Sequence, residues 1–260
     1  MSRRLCSAGL TILAALICMF LMMPTVVVAP VSFTQTDFIS FPPVGFSTRW
    51  YSAFFERPEW WTSFVTSTLV AFLTTVIATT LGTMIALGLE GLSKRLNRLV
   101  SFFFLLPMIV PTIITAVAFY TPFSRLGIIA TIPGLVLAHT ILALPFVVIN
   151  VAAVSKKLDR RTVNAARSLG ASPLVAFRRV TMPALGPGIA AGAVFAFLTS
   201  FDEVVVALFI SGAGATTLPV QMWSGIRFEI SPIVAAASCM LLFVSTMFLV
   251  LFWFLRSKFT

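Results

Sequence analysis

The chain has 260 residues, of which 59% are hydrophobic and only 10% charged, and its mean hydropathy is +1.04. Soluble domains lie nearer roughly 45–50% apolar and 25% charged, so a water-facing globule is excluded, and long continuous apolar runs exclude the short alternating strands of a barrel. A formal charge of +10 does not mark a nucleic-acid surface here, because the basic residues sit in short connections between apolar spans.

Six apolar segments follow one another: Ala8–Ala29, Trp61–Leu87, Ser101–Thr121, Gly134–Val154, Gly188–Ile210 and Ile233–Leu255. Each has about 20 residues or more, enough for about 30 Å of hydrocarbon at ~1.5 Å per residue. This predicts an all-α integral membrane protein with six transmembrane helices in one domain over residues 1–260. Ser2-Arg3-Arg4 before the first run has the look of a secretory signal. The run of about 22 residues exceeds the roughly 7–15 of a signal core, which predicts an uncleaved first helix.

Pro30 to Glu59 reads as an external connection, and Trp50, Tyr51, Trp60, Trp61 and Trp223 fit an aromatic belt at the membrane surface. Pro107 and Pro111 in the third span, and Pro145 in the fourth, predict kinks whose freed backbone groups neighbouring helices must satisfy. Cys6, Cys18 and Cys239 are far apart, in or beside apolar runs. They read as small core hydrophobes, with neither disulfide nor metal spacing. All but four of the 18 Lys and Arg residues fall on the side of the termini, the exceptions being Arg49, Arg57, Arg125 and Arg227. The positive-inside rule therefore predicts that both termini are cytosolic.

The connection between spans four and five, Ser155 to Pro187, holds half of that inside charge. Val163, Ala166 and Leu169 recur at helical spacing, with Arg160, Asn164 and Arg167 on another face. Gly170 then offers a left-handed C-terminal position, and Ser172-Pro173 an N-cap with proline at N1. A second short helix is expected through Phe177 and Arg178, ending at Pro183, so that two helices and a tight turn form a rigid knob. A basic loop lying on anionic lipid is the alternative; the Gly and Pro spacing favours the knob.

Asn164-Ala165-Ala166, three residues, Gly170, nine residues and then Val180-Thr181-Met182-Pro183 resemble the E-A-A-x3-G-x9-I-x-L-P loop of permeases in binding-protein-dependent importers of the ATP-binding-cassette class. Asn164 replaces the leading Glu of that pattern. The resemblance implies the fold of a type I importer permease, in which this loop seats in a cleft on a cytosolic ATPase dimer. Asn164, Ala165, Ala166, Gly170 and Pro183 then carry the coupling, with Arg160 and Arg167 pairing at the rim. It also implies a second permease subunit, an extracytoplasmic solute-binding protein and a place in the cell's inner membrane.

His139-Thr140 with Leu144-Pro145-Phe146-Val147-Val148, Phe201-Asp202-Glu203-Val204-Val205-Val206, and Leu218-Pro219-Val220-Gln221-Met222-Trp223 are similar to the spermidine/putrescine permeases, which implies a polyamine cargo and a paralogous permease partner. Iron, phosphonate, opine and amino-acid-like carriers share much of this framework. On physics alone, Asp202 and Glu203 are intramembrane acids costing about 2.5–3.5 kcal/mol each on insertion scales, which points to an interior face, a partner or a water-filled path. Adjacent helical residues point about 100° apart, so one reading puts one carboxylate, Asp202 before Glu203, on the path of a cation while its neighbour caps or pairs with another helix. The other makes it structural, hydrogen-bonded to Thr199 or Ser200. His139, the only histidine, reads as a hydrogen-bonded packing residue, and Trp223 as part of an external gate or as an interface anchor.

The sequence has no phosphate-binding G-x-x-x-x-G-K-[ST], so ATP hydrolysis is expected on another polypeptide, with no cofactor here. An intramembrane enzyme would need a second acid cluster or a nucleophile–base pair. An ion-coupled secondary transporter would need more spans and two related halves.

Overall fold

The computed structural model describes residues 2–257, with side chains for 10–159 and 161–254. Those residues are almost wholly helical, and twelve α-helices follow in order. The first, α1 (Ser2–Val31), is followed by α2 (Arg49–Glu56), a short helix within the segment expected to be only a connection, and α3 (Pro58–Glu90). The third span is divided into α4 (Lys94–Ile109) and α5 (Thr112–Arg125), and α6 (Ile132–Ser155) is the fourth. The loop between spans four and five holds α7 (Arg160–Ser168) and α8 (Pro173–Ala176). The rest is α9 (Met182–Phe201), α10 (Val205–Ile210), α11 (Leu218–Phe228) and α12 (Ile233–Ser257). Five helical stretches are long and apolar enough to cross a membrane, and the bent α4–α5 pair makes six if counted as one span.

Two of the expected spans are not single helices. Ser101–Thr121 breaks at Val110–Pro111, where the chain turns by 102°. Pro111 has no N–H and its ring drives the preceding residue from helical to extended backbone; Val110 accordingly has φ −75° and ψ 131°. The expected kink is thus a full break. Gly188–Ile210 breaks as well: α9 stops at Phe201, and α10 starts again at Val205. A run of β-branched Val204-Val205-Val206 is a poor helix continuation after two acids.

The chain divides into two compact units, Met1–Trp61 with Met222–Phe243 and Thr62–Gln221 with Val244–Thr260. In the first, Trp50, Phe54 and Trp60 are buried together, with Phe54 and Trp60 ring centroids 6.2 Å apart. Arg57 pairs with Glu229 at 3.9 Å. No residue in the most apolar window of α1 is buried within this chain.

In the second unit, α6 and α9 pack closely because small residues let their backbones approach. A Cβ at Gly192 would stand 3.0 Å from Val147 Cα, and one at Gly188 would stand 2.9 Å from Asn150 O. Around this seam lie Ala78, Ala143, Val147, Val151, Leu185 and Ala196, all buried. A second cluster joins α5, α6 and α10 through Ala116, Phe123, Leu135, Val206 and Ile210. Ser67 of α3 accepts from Leu218 N–H at 2.7 Å in a buried contact that ties the start of α11 to α3.

Candidate functional site

The loop from Ser155 to Pro187 has the expected first helix, glycine turn and Ser172 cap, and departs from expectation at Leu169 and beyond Ala176. Asp159 caps α7 by accepting from Arg161 N–H at 2.9 Å. At the other end Gly170 has φ +89°, the left-handed conformation that L side chains avoid. Gly170 N–H donates to Arg167 O at 3.0 Å and Ala171 N–H to Ala166 O at 3.1 Å, the pair of bonds of a Schellman turn. Ser172 then accepts from Val175 N–H at 3.4 Å, with Pro173 at the first helical position.

The second helix does not end at Pro183. From α8 the chain passes through a π turn, Phe177–Thr181, directly into α9, so Pro173–Phe201 is one helical stretch. The π turn shifts the bond of Met182 N–H to Phe177 O. Pro183 lies just after this wider turn, inside the continuous stretch, and the π turn is the local irregularity that accompanies a ring with no N–H there. The knob is therefore a short capped helix set rigidly on the end of a membrane span.

Asn164, Ala165, Arg167, Gly170 and Pro183 are exposed and Ala166 is half-buried, while the side chain of Arg160 lies outside those described. Leu169 does not share a packed face with Val163 and Ala166. Helix α7 has ended by that position, and Leu169 is 89% exposed, with Leu174 also exposed beside the turn.

The acidic pair sits at the break in the fifth span. Asp202 and Glu203 therefore do not project 100° apart from one helix as a continuous span requires. Glu203 turns back over the start of α10, its Oε1 accepting from Val206 N–H at 3.0 Å and its Oε2 from Ala207 N–H at 2.9 Å. These N–H groups are orphaned by the break, and a carboxylate at a helix N-terminus satisfies them and meets the dipole. Neither Thr199 nor Ser200 holds the carboxylate. Ser200 instead bonds His139 of α6, Oγ to Nδ1 at 2.8 Å, and His139 is fully buried. His139 Nε2 stands 3.9 Å from Glu203 Oε2. Asp202 is exposed.

A cleft of about 260 Å³ opens beside Glu203, lined also by Met108, Val110 and Thr112 at the α4–α5 break, Phe146 of α6 and Thr199 of α9. The breaks in the third and fifth spans thus face the same space. Irregular backbone at membrane depth is tolerated only where it is buried in protein or lines a water-filled path. Trp223 belongs to the other compact unit, on α11, with the Arg227 guanidinium 5.8 Å from its ring. Among the described residues no group of three His, Cys, Asp or Glu side chains could hold a metal.

That Glu203 is the acid that caps a helix, and that Ser200 is the partner of His139, were not read from the sequence. An acid just before a β-branched run was the available signal for a helix start.

Residues 78–259 match the family model described as the binding-protein-dependent transport system inner membrane component. The chain belongs to that family. It is a multi-pass membrane protein and a transporter permease component homologous to spermidine/putrescine permeases. It is 32% identical over 227 residues to the spermidine/putrescine transport system permease protein PotC of Escherichia coli K12, covering 87% of this chain and 85% of that one. With the putrescine transport system permease protein PotI of the same strain it shares 28% identity over 246 residues, covering 92% and 87%. Its fold matches a permease chain in the crystal structure of a bacterial ABC transporter involved in the import of the acidic polysaccharide alginate. The TM-score is 0.71 at 15% identity, over 99% of this chain and 97% of that one.

Proposed function

We propose that this importer permease carries a polyamine, and that Asp202 is the carboxylate its cargo meets. The observation that carries the reading is the division of labour at the break: Glu203 spends both oxygens on α10, whereas Asp202 beside it is exposed and uncommitted. An acid there lies roughly 21 Å along the helix from Gly188 at ~1.5 Å per residue. An ionised group at that depth is costly unless it faces water, a partner or a cation. The similarity to PotC and PotI supports an ammonium-bearing cargo.

The remaining assignments follow the same frame. The chain forms one permease domain, residues 1–260, with both termini in the cytosol and the bulk of its basic residues on that side. It pairs with a second, paralogous permease and receives solute from an extracytoplasmic binding protein. The turn at Gly170, with Asn164, Ala165, Ala166, Arg160, Arg167 and Pro183, seats on a separate ATPase dimer that hydrolyses the ATP. The outward Leu169 and Leu174 support this, since water gains nothing from apolar side chains fixed in place. Trp223 anchors the external face beside Arg227.

The test is uptake of labelled spermidine and putrescine by cells lacking their own polyamine importers and supplied with this system. Asp202→Asn should lower uptake about tenfold or more while the complex still assembles. Unchanged kinetics would remove Asp202 from the path, and absence of uptake by the unmutated system would remove the polyamine.

A further inference from the structure

One buried side chain at the break is left with an atom unmatched. His139 is fully buried on α6, and while its Nδ1 meets Ser200 Oγ at 2.8 Å, its Nε2 has no hydrogen-bond partner. That nitrogen is 3.9 Å from Glu203 Oε2, the same oxygen that accepts from Ala207 N–H at 2.9 Å. Buried ring nitrogens are ordinarily satisfied. An ionised Glu203 carboxylate only accepts, so a bare Nε2 lone pair facing it would be repelled; that arrangement favours a proton on Nε2 and a Ser200 hydroxyl that donates to Nδ1.

We propose that His139 is a positioning residue that acts through Glu203. Its Nε2–H and the Ala207 N–H compete for one carboxylate oxygen. A displacement of the carboxylate by about 1 Å brings Nε2–H into hydrogen-bond range and draws the oxygen off the start of α10. Ser200 anchors the ring to α9, so one imidazole links α6, the end of α9 and the cap of α10. The exchange changes how the break is held and so where Asp202, on its exposed side, is presented. This step to transport rests on the reading of Asp202 as part of the path; the competition for Glu203 does not.

Because His139 is the only histidine in the sequence, labelling with ¹⁵N-histidine reports on it alone. The full chain is purified through a histidine-free tag and placed in lipid nanodiscs, and its imidazole nitrogens are read by NMR. The expected spectrum has Nε2 protonated and Nδ1 bare. Glu203→Gln should shift the Nε2 signal, Asp202→Asn should leave it in place, and Ser200→Ala should release the Nδ1-protonated tautomer. A proton on Nδ1 in the unmutated chain, or an Nε2 signal indifferent to Glu203→Gln, overturns the proposal.

Transport supplies the second arm, with spermidine as the probe. His139→Leu should lower uptake about tenfold, and His139→Gln, whose amide keeps an N–H toward Glu203, should stay within about threefold. On a Glu203→Gln background His139→Leu should cost no more than about twofold, whereas full additivity overturns the link. If His139→Leu fails to assemble, the spectra of Ser200→Ala and Glu203→Gln still decide. If the unmutated system imports no polyamine, the cargo reading has failed while the NMR result stands on its own.

Discussion

Gly170 offers a clean separation of backbone from side-chain effects. Its φ is +89°, and a Cβ built there meets nothing within 4 Å. Substitution therefore causes no clash with neighbours, and its whole effect is the strain of a left-handed residue carrying a side chain. That strain is about 1–2 kcal/mol for an ordinary L residue, smaller for Asn and largest for β-branched types. Should the turn give way, the bonds from Gly170 N–H to Arg167 O and from Ala171 N–H to Ala166 O go with it, each worth about 1 kcal/mol net. Gly170→Val should thus disfavour the native turn by roughly 2 kcal/mol, about thirtyfold in population at 1.4 kcal/mol per factor of ten. The packed spans are untouched, so the complex should assemble in normal amount. The assay is cargo imported per ATP hydrolysed in proteoliposomes, for Gly170→Asn, →Ala and →Val. Coupling should fall in that order, following tolerance of positive φ. A ranking by side-chain volume, with Asn worse than Ala, or wild-type coupling in the Val variant, refutes the reasoning.

Three further outcomes are expected. Gly192→Ala places a methyl 3.0 Å from Val147 Cα and 3.2 Å from its Cγ1, so the melting temperature of the purified complex should drop by an amount equivalent to about 1–3 kcal/mol; Val147→Ala removes only the Cγ1 contact and should not restore it fully. Ser67→Ala strands the buried N–H of Leu218 and should destabilise by about 1–3 kcal/mol, read in the same melts. Leu169→Asp, at a site 89% exposed, should leave thermal stability within about 0.5 kcal/mol but abolish co-purification of the ATPase; retained co-purification would remove Leu169 from the docking surface.

The features legible in the sequence were those written in local rules. Apolar run length marked the spans because lipid offers the backbone no hydrogen bonds, so each crossing must be a continuous helix or be rescued by neighbours. The Gly170 turn and the Ser172-Pro173 cap were legible for the same reason. A left-handed C-terminal residue and an N-cap are satisfied within a few residues of themselves, and the observed bonds from Gly170, Ala171 and Val175 N–H are all local.

Where tertiary structure decided, a local rule had more than one solution. Pro111 permitted a kink or a break, and the 102° turn depends on what α4 and α5 pack against. Pro183 was expected to end a helix, but the chain runs through a π turn just before it and the helix continues. The sequence alone did not assign a role to each of the two acids. Only the interruption of α9 separated them, giving Glu203 to the orphaned N–H groups of α10 and leaving Asp202 exposed. His139 and Ser200 lie 61 residues apart, and no periodicity reports on such a pair. Local hydrogen bonds and hydrophobic run length are properties of a segment. A break in a membrane helix is stable only when other helices supply what it lacks, and that supply is set by the fold.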